Sequence, residues 1–213
     1  MELYDAMSTL RAVRRLRPDP IPEETLNRVF TAATWAPSGG NQQGWRIVAV
    51  SDATSRTALQ ELYRPLWDNY VLQAEQRLQG MPTDVIEKTR KALAAGTYLS
   101  QHLHEVPVIA VFCFNPEYMS VTDAGLDRPS VVGGGSVYPA VQNLLLACRN
   151  EGLGCVLTTL LCLEETAVKE LLDIPANWHT CAHIPIGYPV GTGHGPISRN
   201  TVEQMVSWDR FEQ

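Results

Sequence analysis

The spacing of apolar residues in the first part of the chain predicts helices followed by a buried strand. Between Pro22 and Trp35 apolar side chains recur three and four positions apart, as on the buried face of a helix. Pro22 suits the first helical turn, and Pro37 with the glycines behind it ends the helix. The stretch WRIVAVSD, at 45–52, is nearly continuous in apolar residues, which is typical of a strand buried on both faces. A short helix at 2–9 precedes these elements.

The rest of the chain continues this mixture of helices and short apolar strands. Ser51 or Asp52 can cap a helix that reaches about Leu62, and residues 64–104 are amphipathic with a break at 80–84. Further strands are predicted at 107–115, 155–160 and 179–191, with helices at 133–151 and 163–175 and a final segment at 198–211. No linker, internal repeat or low-complexity tract appears, so the pattern predicts a single domain over residues 1–213.

Charge and composition exclude several classes of partner. The chain of 213 residues has a formal net charge of −6 and therefore no overall basic field for nucleic acid. No apolar run reaches the roughly 18 residues of a membrane span, and the N-terminus lacks the apolar core of a signal peptide. The five cysteines contain no CxxC pair, and together with the histidines they lack zinc-site spacing. We expect a cytoplasmic protein with reduced thiols, no membrane or nucleic-acid partner and no metal.

The strongest local positive charge is RAVRRLR, at 11–17. A short basic cluster on an acidic protein favours one small anion, and arginine binds phosphate oxygens through paired hydrogen bonds. Arg199, near the other end of the chain, is a second candidate that could meet the first in space. Both glycine-rich phosphate motifs, GxGxxG and the P-loop, are absent, so side chains and scattered backbone N–H groups would have to hold any nucleotide-like cofactor. The alternative is a solvated turn, because the chain has only three lysines and uses arginine as its general cation.

An uncharged segment, WAPSGGNQQGW at 35–45, is a candidate for binding a neutral ring. Gly39 and Gly40 allow a ligand to approach the backbone closely. Asn41 and Gln43 carry donors and acceptors that suit the edge of a heterocycle, and Trp45 offers a flat wall. The alternative is a helix-to-strand loop with asparagine caps. Packing is the favoured role of the two indoles.

Four stretches in this order resemble the nitroreductase family of flavin mononucleotide enzymes. They are RAVRRLRPDPIPEETLNRVFTAATWAPSGGNQQGWRIVAV, PVIAVFC, SVYPAVQNLLLACRNEGLGCVLTTL and, last, IPIGYP with the late Arg199. The resemblance is weakest at 62–96 and 115–132. It implies an α+β sandwich, with a central mixed sheet of four to five strands flanked by helices, built as an intertwined homodimer. Two FMN sites at the dimer interface would each take residues from both chains, and Gln142 and Asn143 would be buried there and need partners.

The resemblance also implies which positions would contact FMN. Arg11 and Arg199 would bind the phosphate, and Arg14 or Arg15 would lie near the flavin O2. The loop at Pro37 to Gln43 would come from the partner chain. The backbone at 157–159 would run under the flavin ring, with one N–H facing flavin N5. The positions implied are Arg11, Ala12, Val13, Arg14, Arg15, Pro37, Ser38, Gly39, Asn41, Gln43, Leu157, Thr158, Thr159 and Arg199.

Two departures from the family pattern concern the phosphate site. Many members have an arginine at the position of Leu10 and a serine at that of Ala12. Losing a guanidinium and a hydroxyl would weaken FMN retention unless Arg15 or Ser198 compensates.

The activity implied by the resemblance is NAD(P)H-dependent reduction by a ping-pong mechanism. NADPH or NADH would be the donor, with nitroaromatics, quinones or similar conjugated molecules as acceptors. The flavin would carry the chemistry, so no catalytic side chain is expected. Three alternatives remain: a deazaflavin-dependent reductase, a reductive dehalogenase with 62–96 as a lid, or a flavin-binding storage or sensing protein without turnover.

Overall fold

Five strands form the central sheet in the computed structural model, which describes residues 1–211. They are β1 Leu16–Arg17, β2 Trp45–Val50, β3 Val108–Phe114, β4 Gly154–Cys155 and β5 His179–Pro189. Their order is β1–β5–β3–β2, with β4 also paired to β5. Every pairing among the described strands is antiparallel, so the sheet of one chain is antiparallel rather than mixed. The α+β class and the number of strands are as predicted.

Seven α-helices are present within the described residues. They are α1 Leu3–Thr9, α2 Glu23–Thr34, α3 Ala53–Arg77, α4 Thr83–His102, α5 Tyr138–Asn150, α6 Glu165–Leu171 and α7 Val202–Met205. The side chain of Asp52 accepts the Ser55 N–H and caps α3, which confirms one of the two predicted caps. The predicted break at 80–84 is also confirmed, since Gly80 has a φ of +79° and Pro82 precedes α4.

The helix α3 is longer than predicted, because it continues through Pro65. Proline inside a helix removes a backbone hydrogen bond and costs about 3 kcal/mol. Leu59, Tyr63 and Trp67 are all buried on the same side of α3. Burying a large apolar side chain contributes about 1.5–3 kcal/mol, so these three positions together outweigh the proline. The helix therefore runs unbroken to Arg77.

The sheet separates two apolar cores, and β3 contributes to both. Ala110 and Phe112 face the core shared with α2 and α5, whereas Ile109 and Val111 face the core under α3 and α4. All four side chains are inaccessible to solvent, as the continuous apolar run of this strand predicted. The edge strand β2 is less buried, since Arg46 and Ala49 are exposed and the two residues between them are half-buried.

Three other boundaries differ from the sequence prediction. The helix predicted from 133 begins only at Tyr138, because the three glycines at 133–135 are poor helix formers and adopt a 3-10 turn instead. The strand predicted over 155–160 pairs regularly only at β4, with one further bridge at Thr158, before a 3-10 turn starts at Leu160. The two-residue strand β1 was not predicted, because it shows no apolar pattern of its own.

The described residues also bear on thiols, metals and membranes. All five cysteines are free. Within residues 1–211 no cluster of three or more histidine, cysteine or acidic side chains is arranged to hold a metal ion. None of the helices in that range combines the length and apolar character that a bilayer crossing requires.

Candidate functional site

Arginines from both ends of the chain line one cavity of about 410 Å³. Arg11 and Arg14 reach it from the segment before β1, and Arg199 reaches it from the segment before α7. Among the residues that the structure describes, no carboxylate lines this cavity and none of the three arginines forms an ion pair. Guanidinium groups without a carboxylate partner suit an anion that offers several oxygen atoms. We call this cavity the arginine cavity.

The N-terminal side of the arginine cavity is fixed by backbone contacts with the sheet. The Val13 N–H donates to the Cys155 carbonyl at 2.9 Å, and the Arg15 carbonyl accepts the Val190 N–H at the same distance. Val13 is buried against β4, whereas its neighbours Ala12 and Arg14 line the cavity. A Cβ on Gly154 would stand 2.8 Å from the Val13 side chain, so this close approach depends on glycine.

The C-terminal side of the cavity is held against the N-terminal segment. Arg11 Nε donates to the Pro196 carbonyl at 2.9 Å, and Nη2 contacts the same oxygen. Arg199 Nη1 donates to the Ser198 carbonyl at 2.7 Å. Both guanidinium groups are therefore held at the cavity by main-chain oxygens, and both keep further N–H groups that can donate to a ligand.

A second cavity, of about 290 Å³, adjoins the first at Arg14 and Leu157. We call it the aromatic cavity, because Tyr63, Trp67 and Tyr70 form one of its walls. The first two rings are stacked with centroids 6.3 Å apart, and the last two are tilted at 5.3 Å. Burial raises the pKa of Tyr63, so its hydroxyl stays protonated. Tyr63 and Trp67 are almost wholly buried in this wall, so Tyr70, which is 43 % exposed, is the ring that it can offer to a planar, apolar ligand.

The backbone at 157–159 presents unpaired N–H groups where the two cavities meet. Thr158 and His183 exchange both backbone hydrogen bonds, at 2.9 and 3.0 Å, so the Thr158 N–H is committed to the sheet. The amides of Leu157 and Thr159 have no hydrogen-bond partner among the described residues, and alternation along the strand directs them away from β5. Leu157 or Thr159, and not Thr158, can therefore donate a backbone N–H to a ligand.

The uncharged loop at Pro37 to Gln43 lies away from the arginine cavity of its own chain. The Gly39 N–H donates to Ser136 Oγ at 3.0 Å, and the Gln43 N–H donates to Ser38 Oγ at 2.9 Å. Asn41 and Gln43 have φ values of 54° and 50°, so the loop holds two non-glycine residues in the left-handed region. Within one chain, neither Pro37 nor any residue up to Gln43 lines the arginine cavity or the aromatic cavity.

Arg15 and the two indoles also lie outside the arginine and aromatic cavities. The Arg15 guanidinium stacks on the Tyr98 ring, 4.3 Å from its centroid. Trp45 is buried with its ring 5.9 Å from that of Phe112, which agrees with the predicted packing role. Trp35, by contrast, is 76 % exposed and has no packing role within one chain.

Several residues of the cavities were not predicted as site residues. Gln142 on α5 is exposed and lines the arginine cavity, although burial was expected, whereas Asn143 donates to the Ala32 carbonyl at 3.1 Å. The Gln142 side chain has no partner among the described residues and is free to bind a ligand. The aromatic wall lies within residues 62–96, where the resemblance to the family is weak. Spacing on α3 is the signal that could have found it, since Tyr63, Trp67 and Tyr70 recur four and three positions apart.

Comparisons with known proteins agree with this geometry. The sequence profile of the nitroreductase family matches residues 9–188. A 5,6-dimethylbenzimidazole synthase of Rhodospirillum rubrum is 32% identical over 188 residues, which cover 84% of this chain and 78% of that protein. An NADH dehydrogenase of Thermus thermophilus is 29% identical over 206 residues, covering 93% and 91% of the two chains. The crystal structure of an iodotyrosine deiodinase bound to FMN and 3-iodo-L-tyrosine superposes with a TM-score of 0.71 at 26% identity, covering 99% of this chain and 100% of the other.

Proposed function

The chain belongs to the nitroreductase family, and from that premise we propose that it is an FMN-dependent oxidoreductase that oxidises NADH or NADPH and reduces a small conjugated acceptor. The observation that carries the proposal is the arginine cavity, where Arg11 and Arg199 converge without a carboxylate between them. When bound, FMN supplies the reversible two-electron chemistry that couples the donor to the acceptor.

The residues present fit FMN at both of its ends. A phosphate dianion needs several charge-assisted donors, and the guanidinium groups of Arg11 and Arg199 offer them. The side chains of Leu10 and Ala12, at the positions of the two departures from the family pattern, offer none. Arg14 lies where the two cavities meet, so its positive charge would stabilise negative charge near the pyrimidine edge of a flavin. The unpaired amide of Leu157 or Thr159 would donate to a ring nitrogen.

The aromatic cavity supports a planar acceptor. Tyr70 presents its ring beside the polar backbone at 157–159, with Tyr63 and Trp67 packed behind it, and no described carboxylate lines the space. A nitroaromatic or a quinone would meet this wall with its ring face and leave its polar atoms toward Arg14 and Thr159. Two relatives carry the names of different activities, a 5,6-dimethylbenzimidazole synthase and an NADH dehydrogenase, and a panel of nitroaromatics and quinones identifies the acceptor of this chain.

A homodimer would complete the site. A trough of about 620 Å³ lies between α1, α2 and α5, and the exposed Trp35 lines it together with apolar side chains. Near the C-terminus, Trp208 and Phe211 are 84 % and 90 % exposed. Apolar surface of this extent is expected to be covered by another protein, and we propose a second copy. That copy would bring its own loop at Pro37 to Gln43 over the flavin ring.

The test is reconstitution followed by anaerobic reduction. The protein is incubated with FMN, freed of excess cofactor and mixed with NADH or NADPH in the absence of oxygen. We expect one flavin per chain, loss of its visible absorbance on mixing, and recovery of the absorbance when a nitroaromatic or a quinone is added. Bound flavin that neither nucleotide reduces would favour the binding protein without turnover. Failure to bind any flavin would overturn the proposal.

A further inference from the structure

We infer that His194 is a positioning residue that fastens the segment carrying Arg199 to the segment carrying Arg11, and that only its neutral form can do so. The inference rests on the proposed function, because both arginines are assigned there to the FMN phosphate. The imidazole itself does not line the arginine cavity. It acts on the ligand only through the two segments that it joins.

The two ring nitrogens of His194 bond to groups of opposite character. Nε2 lies 2.8 Å from the carbonyl oxygen of Leu153, which can only accept a hydrogen bond. Nδ1 lies 3.3 Å from the backbone nitrogen of Arg11, which can only donate one. The ring must therefore carry its proton on Nε2 and keep Nδ1 as an acceptor. This is a neutral imidazole in one tautomer.

Further contacts surround this imidazole and depend on its position. The Gly195 N–H donates to the Thr9 carbonyl at 3.1 Å, and Arg11 Nε donates to the Pro196 carbonyl at 2.9 Å. The turn that delivers His194 requires Gly193, which has a φ of +61° and no room for a Cβ beside Pro189. Residues 194–196 are thus bonded to residues 9–11 at several consecutive points. His194 is the member of this set that also bonds to Leu153, the residue directly before β4.

Protonation would break the connection to Arg11. A second proton on Nδ1 would place an N–H against the Arg11 N–H, where an acceptor stood before. The charged side chain that acts on the ring is also positive, since Arg149 approaches from α5, whereas Arg11 and Leu153 contact the ring through a backbone N–H and a backbone carbonyl. Burial lowers the pKa of His194 and Arg149 lowers it further, against the opposite effect of Leu153. The ring is therefore neutral at physiological pH and opens the connection only in acid.

The predicted consequence is confined to the phosphate end of FMN. The ring end would contact Arg14 and the backbone at 157–159, and the hydrogen bonds that hold these segments, from Val13 to Cys155 and between Thr158 and His183, do not involve His194. Loss of the His194 connection should therefore weaken binding of FMN and leave binding of riboflavin, which lacks the phosphate, unchanged. A general loss of folding would weaken both ligands together.

The experiment measures the dissociation constants of FMN and riboflavin by flavin fluorescence in four proteins. These are the wild type, His194→Ala, His194→Gln and the control His102→Ala, whose ring pairs with Glu105 outside both cavities. Measurements are made in steps from about pH 8 to about pH 4.5, because the lowered pKa of His194 places its protonation below the ordinary histidine value of about 6.5. We expect His194→Ala to weaken FMN about tenfold or more, because two hydrogen bonds are lost, and to change riboflavin affinity less than about twofold. His102→Ala should match the wild type.

The glutamine variant separates titration of the imidazole from titration of the ligand. Its amide can still donate to Leu153 and cannot be protonated, whereas the FMN phosphate has a pKa of about 6 that affects every variant alike. The wild type should therefore lose more FMN affinity on acidification than His194→Gln loses. Equal losses, or an alanine variant that binds FMN like the wild type or weakens riboflavin equally, would overturn the inference. A wild type that binds neither flavin would overturn the proposed function, and this inference with it.

Discussion

At the scale of single residues, Arg199 donates a hydrogen bond to the Ser198 carbonyl and forms no ion pair with any residue that the structure describes. Arg199→Ala should weaken FMN binding by about 1.5–3 kcal/mol, the range for a hydrogen bond to a charged group. Riboflavin should bind as before. Arg90→Ala is the matched control, because Arg90 pairs with Glu75 on the helix surface. Calorimetric titration measures the dissociation constant of FMN for each variant. An unchanged constant in Arg199→Ala would remove Arg199 from the site.

His183 provides a second residue-scale effect, in stability rather than binding. It is buried on β5, and neither ring nitrogen has a hydrogen-bond partner among the described residues. Burial lowers its pKa from 6.5 to about 4, so the folded chain keeps the ring neutral where the unfolded chain protonates it. Because the unfolded state then binds more protons, the free energy of unfolding falls as the pH drops from about 6.5 toward 4, by up to about 1.4 kcal/mol per pH unit.

The matching prediction concerns His183→Leu. Leucine is similar in size and has no polar atom, so at about pH 7 the variant should unfold within about 1.5 kcal/mol of the wild type. Between about pH 6.5 and pH 5 it should lose less stability than the wild type, because it has removed a titrating group. Urea unfolding at each pH measures both quantities, with His102→Leu as the control on a half-exposed histidine. Parallel acid losses in wild type and His183→Leu would contradict the argument.

At the scale of elements, the site depends on how closely the segment before β1 approaches β4. A Cβ at Gly154 would stand 2.7 Å from Leu16 and 2.8 Å from Val13, both buried. Gly154→Ala should therefore lower the free energy of unfolding by about 1–3 kcal/mol through overpacking, and it should weaken FMN binding by moving Arg11 and Arg14. Gly135→Ala is the control, because a Cβ there meets nothing within 4 Å. Thermal and denaturant unfolding measure the stability of both variants. Equal stability of the two would contradict the prediction.

The elements also show why sequence reasoning located the cavity only in part. The apolar pattern located α2 and α5, which each bury one face, and β3, which is buried on both faces. It failed at β1 and at the end of β4, because short extended segments at a sheet edge are stabilised by backbone pairing that leaves no periodic trace. His194 could not be found either, since its two partners lie 41 and 183 residues away along the chain.

At the scale of the whole molecule, the two termini come together at the arginine cavity, while a broad apolar trough stays uncovered on another side. From the sequence, the two ends of the chain could meet in space. In the structure, hydrogen bonds between residues 9–11 and residues 194–196 hold them together. The uncharged loop at 37–43 is absent from the cavities of its own chain. If it caps the flavin, the loop must come from another copy. Cofactor binding and assembly should then depend on each other.

Trp35→Glu tests that dependence. A carboxylate in the trough between α2 and α5 would have to be buried without a partner when a second copy covers it, which costs several kcal/mol. The variant should be monomeric at concentrations where the wild type is dimeric, and it should lose bound FMN because the partner's loop no longer covers the ring. Leu72→Glu, on the exposed surface of α3 and outside the trough, should stay dimeric with its flavin. Light scattering after size exclusion gives the mass, and visible absorbance gives the flavin content. A monomeric wild type with one FMN per chain would show that a single copy suffices, and the shared site would then have to be abandoned.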